Sequence, residues 1–335
     1  MAEAARDPGA HRAGQRAAAK VGLLLARCAV LAAASLSTAL AATQFIQILA
    51  GGTNSVYYPL GVALAAAIDQ AMPQVKTTVQ ATKGSADNLS LLQAGRGDVA
   101  FALGDTLAAA WRGNADAGFN APLTRLRGIA ALYPNYVQIV ARADSGIRTL
   151  ADLRHKTLSV GARGSATELA ARTILAAAGL SYRDLARVDY RPFGESIELL
   201  KNRQVDASLV SASLAISALR DLASAYDVVW VPIPADVIKK MGDPVYFPAR
   251  IPAGTYRGQS ADLPTAAVEN YLVTHEGTSD ELIYAITRAL WSSLDRLSAA
   301  HAAGKAIDRS RPLDGMPVPL HPGAQRYYSE IGVLR

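Results

Sequence analysis

Two basic residues stand directly before Gly-Ser pairs, Lys83 in Lys83-Gly84-Ser85 and Arg163 in Arg163-Gly164-Ser165. A cation followed by a flexible glycine and a hydroxyl suits anion binding, because a charge-assisted hydrogen bond is stronger than a neutral one. The glycine-rich stretch Gly51-Gly52-Thr53-Asn54-Ser55, and Thr167 just beyond Ser165, add further small polar loops of the kind that open helices. Helix starts expose unpaired N–H groups and the positive end of the helix dipole, and both favour a carboxylate. If Lys83 and Arg163 face one cavity, they clamp a solute that is negative at both ends, a dicarboxylate in preference to a neutral compound. The alternative is two solvated loop charges.

Each of these polar residues also has a structural reading. Thr53, Asn54 and Ser55 are residue types that cap a helix N-terminus without any ligand. Ser165 and Glu168 have the Ser-x-x-Glu spacing of a capping box, which assigns Glu168 to the helix start rather than to a solute. Ser85 and Asn88 are at once a cap with a first-turn residue and a pair of ligand donors. Asp105, just past an apolar run, either accepts from a ligand ammonium group or caps the next helix. Tyr57 can pack its ring in the core while its hydroxyl reaches a cleft.

Catalytic signatures are missing: there is no Gly-x-Ser-x-Gly elbow, His-Glu-x-x-His pair, Walker loop or Gly-x-Gly-x-x-Gly fingerprint. With one cysteine, Cys28, and five scattered histidines, no metal site and no intramolecular disulfide framework is expected. A binding protein without cofactor is therefore expected, and not an enzyme.

The elements that position these residues come from a 335-residue chain, 50% hydrophobic and 19% charged, large enough to bury a substantial core. Arg6, Arg12, Arg16 and Lys20 precede an apolar stretch from Val21 to Leu40, and Ala39-Leu40-Ala41 is a small-x-small cleavage site. Residues 1–41 are thus expected to be a signal peptide cut after Ala41, directing the protein to the periplasm. Lipidation at Cys28 is the alternative, although Arg27 precedes it where a small residue is wanted. The whole chain has 34 basic and 28 acidic residues; the leader holds five and two of them, leaving 29 against 26, a net charge of +3. That is too weak for a nucleic-acid surface.

Beyond the leader, strand, glycine loop and helix alternate. Phe45 to Ala50 leads through Gly51-Gly52 into apolar residues at helical spacing, Leu60, Leu64, Ile68 and Met72; Thr77 to Gln80, Asp87 to Leu92 and Val99 to Leu103 follow as strand, helix and strand. The second half repeats the order: Leu158 to Val160, Gly161, a helix through Leu175, Val188 to Arg191, Phe193-Gly194, Glu195 to Leu200, and Asp206 to Val210. Gly51 and Gly161 are 110 residues apart, as are Gly84 and Gly194. Two similar α/β lobes explain the echo, and ligands of open α/β sheets bind beyond the carboxyl ends of the strands, where such loops meet helix starts.

From Gly51-Gly52-Thr53-Asn54-Ser55-Val56-Tyr57-Tyr58-Pro59 onward, the sequence resembles the TAXI family of TRAP-transporter solute-binding proteins. Similar segments are Ala81 to Asn88, Ala131-Leu132-Tyr133-Pro134 with Val137-Gln138-Ile139-Val140, Asp144 to Ile147, Val160 to Glu168, Ile251-Pro252-Ala253-Gly254-Thr255-Tyr256, and His321-Pro322-Gly323-Ala324. The resemblance implies a type II periplasmic-binding-protein fold, two α/β lobes joined by crossing hinge strands around a cleft. Residues 43–136 plus 275–335 would form lobe I and 142–267 lobe II, with crossings at 137–141 and 268–274. It also implies a monomeric receptor that hands a small carboxylate, an organic acid or acidic amino acid, to membrane permease subunits; a sensory protein presenting its ligand to a receptor kinase would share the fold. The implied ligand contacts are Gly52, Thr53, Asn54, Tyr57, Lys83, Ser85, Asn88, Asp105, Tyr133, Arg163, Gly164, Ser165, Thr167 and Ser211. Two places depart from the family pattern: Leu103-Gly104-Asp105 replaces a Gln-Ser-Asp, and Ser211-Ala212-Ser213-Leu214 replaces a proline-containing loop.

Overall fold

A computed structural model describes residues 43–53 and 55–334. The expected leader, 1–41, and Asn54 lie outside the described residues, as does Arg335. In chain order the strands are β1 (Gln44–Leu49), β2 (Val75–Gln80), β3 (Val99–Leu103), β4 (Leu126–Arg142), β5 (Thr157–Ser159), β6 (Arg187–Asp189), β7 (Ala207–Ala212), β8 (Val228–Val231), β9 (Tyr246–Ile251) and β10 (Leu263–His275). The helices are α1 (Tyr57–Ala71), α2 (Ser85–Gln93), α3 (Gly104–Arg112), α4 (Ala166–Ala177), α5 (Phe193–Lys201), α6 (Ser217–Ala225), α7 (Ala235–Met241), α8 (Asp280–Ser292), α9 (Leu294–Ala300) and α10 (Pro322–Glu330).

Ten strands form one curled sheet, ordered β2-β1-β3-β10-β4-β7-β5-β6, with β8 on β4 and β9 on β10. β1 pairs in parallel with β2 and β3. β5 pairs in parallel with β6 and β7, so the predicted repeat is present in the sheet itself. Between the two parallel sets run the long antiparallel strands. β4 pairs β10 from Leu126 to Tyr136 and β7 from Tyr136 to Ala141. β10 pairs β9 with its first half, Leu263 to Val268, and β3 with its second, Asn270 to Thr274. The connection is therefore continuous backbone, and a register shift interrupts it between Glu269 and Tyr271.

Each lobe has its own core. Ile46, Ile48, Leu60, Leu64, Ile68 and Phe101 pack with α8 and α10 around Trp291, whose indole N–H donates to the Tyr328 hydroxyl at 2.9 Å. In the other, Leu158, Val160, Ala170, Ile174, Leu175 and Leu209 pack under α4. The spacing 60, 64, 68 places its side chains on one face of α1, which is why all three are fully buried. Truncating Leu64 to alanine would cost about 2–5 kcal/mol, the transfer term plus the cavity left behind.

Helix starts depart from the expected caps. α1 begins after Val56 with no side-chain cap from a described residue. Ser165 does cap α4, accepting from the Glu168 N–H at 3.2 Å. The reciprocal half of the expected box is not formed: the Glu168 carboxylate pairs with Arg172 at 2.9 Å and accepts from the Tyr182 hydroxyl at 3.0 Å. An arginine one turn on and a phenol outcompete the backbone N–H of Ser165, which donates to Ala162 O at 3.0 Å.

Candidate functional site

The loops at the carboxyl ends of β1, β2, β3, β5, β6 and β7 converge on a cleft of about 970 Å³. Gly51, Gly52, Ser55 and Tyr57 follow β1; Lys83, Gly84 and Ser85 follow β2; and Leu103 ends β3. From the other side come Gly161, Gly164, Ser165 and Thr167 after β5, Pro192 and Phe193 after β6, and Ser211 to Ala218 with Arg220 from the end of β7 onward. Tyr133, Pro134, Asn135 and Tyr136 of β4 form the floor, and His301, Ala302, Ala303 and Ala306 a further edge. The volume is in the range that small-molecule sites occupy.

Glycines let the backbone make these turns. Gly84 has φ +112°, and Gly161 has φ +88° with a would-be Cβ only 2.7 Å from the Thr167 Cβ, so any side chain there collides with the start of α4.

Nine of the fourteen expected contacts line the cleft: Gly52, Tyr57, Lys83, Ser85, Tyr133, Gly164, Ser165, Thr167 and Ser211. Asn54 lies outside the described residues. Thr53, Asn88, Asp105 and Arg163 are placed elsewhere. Thr53 is exposed in the turn before α1. Asn88 is completely buried and holds the wall from behind: its amide donates to Phe101 O at 2.8 Å and Leu49 O at 3.4 Å, and accepts from the Thr82 hydroxyl at 2.6 Å. Asp105, 2% exposed, accepts from the Tyr246 hydroxyl at 2.7 Å and from the Thr106 N–H. Burial pushes its carboxyl up to about 6. The Arg163 guanidinium sits over the Tyr190 ring, 3.9 Å from its centroid.

The charge of the lining is one-sided. Lys83 on one wall and Arg220 on the other are its cations, and among the described residues that line it there is no aspartate or glutamate. Neither cation is in an ion pair among the described residues. Ser55, Ser211 and Ser213 keep buried hydroxyls without a partner among the described residues, all on the cleft lining. Unmet hydroxyls cost free energy when buried, so a polar solute that engages them gains what the empty wall lacks. His301 accepts the Ala303 N–H on Nδ1 at 3.0 Å, and burial lowers its pKa, so it presents a neutral ring.

A buried network joins the walls through the floor. The Tyr57 hydroxyl donates to Asn270 Oδ1 at 2.6 Å and lies 3.5 Å from Ser85 Oγ. Asn270 donates to Tyr133 O at 2.9 Å and Asn135 Oδ1 at 3.1 Å, and Asn135 donates to Ser211 O at 3.4 Å. Sequence reasoning missed Asn270, Asn135, Tyr136, Ser213 and Arg220. An asparagine inside the apolar strand Val268 to Val273 was a readable signal, since a buried amide needs partners. Arg220 carried none: it is one arginine in the first turns of a helix whose loop departs from the family pattern.

The NMT1-like family model matches residues 48–332. The chain belongs to the NMT1-like family. Solved structures similar to this NMT1-like protein are XAC2383 from Xanthomonas citri bound to ATP, at 13% identity with a TM-score of 0.52, covering 86% of this chain and 95% of that one; and a TctC solute-binding protein from Polaromonas, at 16% and 0.51, covering 87% and 99%. The periplasmic binding protein BugD is similar at 12% identity and a TM-score of 0.51, covering 87% of this chain and 94% of its own. The NMT1-like chain thus has the two-lobed fold of periplasmic binding proteins. No helix among its described residues is long and apolar enough to cross a membrane.

Proposed function

We propose that this protein is an extracytoplasmic solute receptor of the TAXI type that captures a small carboxylate-bearing solute and delivers it to the permease of a TRAP transporter. The observation that carries the reading is the cleft lining, with Lys83 and Arg220 on opposite walls and no acidic residue among the described lining residues. An anion between them gains charge-assisted hydrogen bonds from both sides. The unmatched hydroxyls of Ser55, Ser211 and Ser213 supply further donors. Membership of the NMT1-like family and the TAXI-like motifs along the chain support the transport role.

The mechanism is a two-state clamp. Residues 43–136 with 275–335 form one lobe and 142–267 the other, turning about 137–141 and 268–274. A solute that touches both walls stabilises the closed form by its difference in affinity between open and closed states, and the closed form docks on the permease. Residues 1–41 act as the leader that brings the protein there; the mature protein recovered from the periplasm should begin at Ala42, which its intact mass would show.

Thermal melting of the purified protein, unfolded and refolded to strip carried-over solute, tests the reading against mono- and dicarboxylates, amino acids and sugars. A true solute at about a hundred times its dissociation constant adds roughly 2.7 kcal/mol, a rise on the order of 5 °C. A rise confined to carboxylates supports the proposal; a rise with sugars alone overturns it.

A further inference from the structure

Two sequence segments, Val137-Gln138-Ile139 on β4 and Ile251 to Tyr256, meet behind the cleft loop between β7 and α6. Ala215 in that loop has φ +54°, a left-handed conformation that an alanine adopts only when its surroundings hold it there. Its N–H donates to the Tyr256 hydroxyl at 3.0 Å. That hydroxyl donates in turn to Gln138 Oε1, and the Gln138 amide donates to Ala212 O at 3.3 Å and Ser213 O at 3.4 Å. The Tyr256 ring is stacked on Trp230, with centroids 4.0 Å apart and planes at 18°. Gln138 is 0% exposed and Tyr256 3%, and neither lines the cleft. The loop they hold does line it, carrying the unpartnered hydroxyls of Ser211 and Ser213 and leading directly to Arg220.

We propose that Tyr256 and Gln138 are positioning residues for solute binding: they lock the loop 212–215 to strand β4 and so fix where Ser211, Ser213 and Arg220 meet the solute. The inference rests on the reading of the cleft as a solute site. Because Gln138 sits on a strand that runs through both lobes, the loop is fixed relative to that shared strand rather than to its own lobe alone.

Tyr256→Phe tests this, since phenylalanine keeps the ring against Trp230 and removes only the hydroxyl. In the ligand-free full chain, hydrogen exchange of a peptide covering 211–217 should rise about tenfold, the consequence of losing a buried hydrogen bond, while peptides covering 44–80 stay unchanged. With 2-oxoglutarate as probe, the variant should bind about tenfold more weakly. Adding Ala215→Gly should restore affinity to within about threefold, because glycine adopts positive φ without needing the anchor. Unchanged exchange in 211–217, or a glycine that restores nothing, would overturn the proposal and leave Tyr256 a core residue. Failure of wild type to bind any acid would instead count against the carboxylate reading. The exchange measurement would still decide this one.

Discussion

Lys83-Gly84-Ser85 and Arg163-Gly164-Ser165 are the same phrase in two lobes, yet their cations end in different places. Lys83 lines the cleft. Arg163 lies over Tyr190, whose ring meets Tyr182 edge-on at 6.2 Å. The two tripeptides are 80 residues apart, so the 110-residue repeat matches Arg163 with Thr53 and Lys83 with Phe193, and the two cations leave different strands, β5 and β2. A guanidinium over a ring gains cation–π attraction that a solvated loop cation lacks, and that preference turns Arg163 aside. Arg220, on α6 of the same wall, is left as that wall's cation in the cleft. A shared tripeptide therefore does not fix where its long side chain points.

The locks behind the two walls differ in the same way. The fully buried Asn88 amide ties β1 to β3, donating to Leu49 O and Phe101 O and accepting from the Thr82 hydroxyl. The second wall has Ser159 donating to Ser196 at 2.8 Å, and the Ser196 hydroxyl turns back on its own loop, 3.1 Å from Arg191 O and from Pro192 O, without reaching a second strand. Asn88→Ala should thus lower stability by about 2–3 kcal/mol, from orphaned strand carbonyls, against about 1 kcal/mol for Ser196→Ala. Chemical denaturation of the two variants measures this; equal losses would erase the asymmetry.

Next in size are the cations. Lys83→Ala should weaken carboxylate binding about tenfold, the loss of one charge-assisted hydrogen bond, whereas Arg163→Ala should leave it within about twofold. Calorimetric titration of both variants compares the walls directly, and a large loss at Arg163 would mean that it swings off Tyr190 when solute binds.

The smallest effect is with pH. Burial pushes Asp105 up to about 6 and Glu269 up to about 7. A carboxyl whose pKa is higher folded than unfolded favours the fold while protonated, and that contribution is lost as pH rises through the folded value. These two carboxyls therefore favour the fold at pH 5 over pH 8, while His275, His301 and His321, held low by burial, act the other way. In thermal melts of the ligand-free protein, Asp105→Asn should lower the stability at pH 5 relative to that at pH 8 by an amount on the order of 1 kcal/mol. Asp152 and Asp184, held low by hydrogen bonds, titrate below this window.

Much of the scaffold was legible. Apolar runs gave β1, β2, β3, β5, β6 and β7, glycines gave the turns, and the 110-residue echo gave two similar α/β lobes, whereas the one sheet they share through β4 and β10 was not read. Nine of the fourteen expected contacts reach the cleft because loops at strand ends must converge there. What sequence did not carry is side-chain direction and long-range pairing. Asn88 and Asp105 read as ligand contacts because their types fit, one as a donor and the other as an acceptor for an ammonium group or a helix cap, but their partners, Phe101 O and the Tyr246 hydroxyl, come from strands whose approach only the fold reveals. Tyr256 and Gln138, 118 residues apart, could not be joined from spacing.

The most direct test of the account is calorimetric titration of the acid that raises the melting temperature most, into wild type and the Lys83→Ala, Arg220→Ala double variant. The account predicts an affinity loss on the order of a hundredfold, one charge-assisted contact from each wall. Equal affinity in the two proteins would contradict it, because the cleft would then hold its solute without either cation.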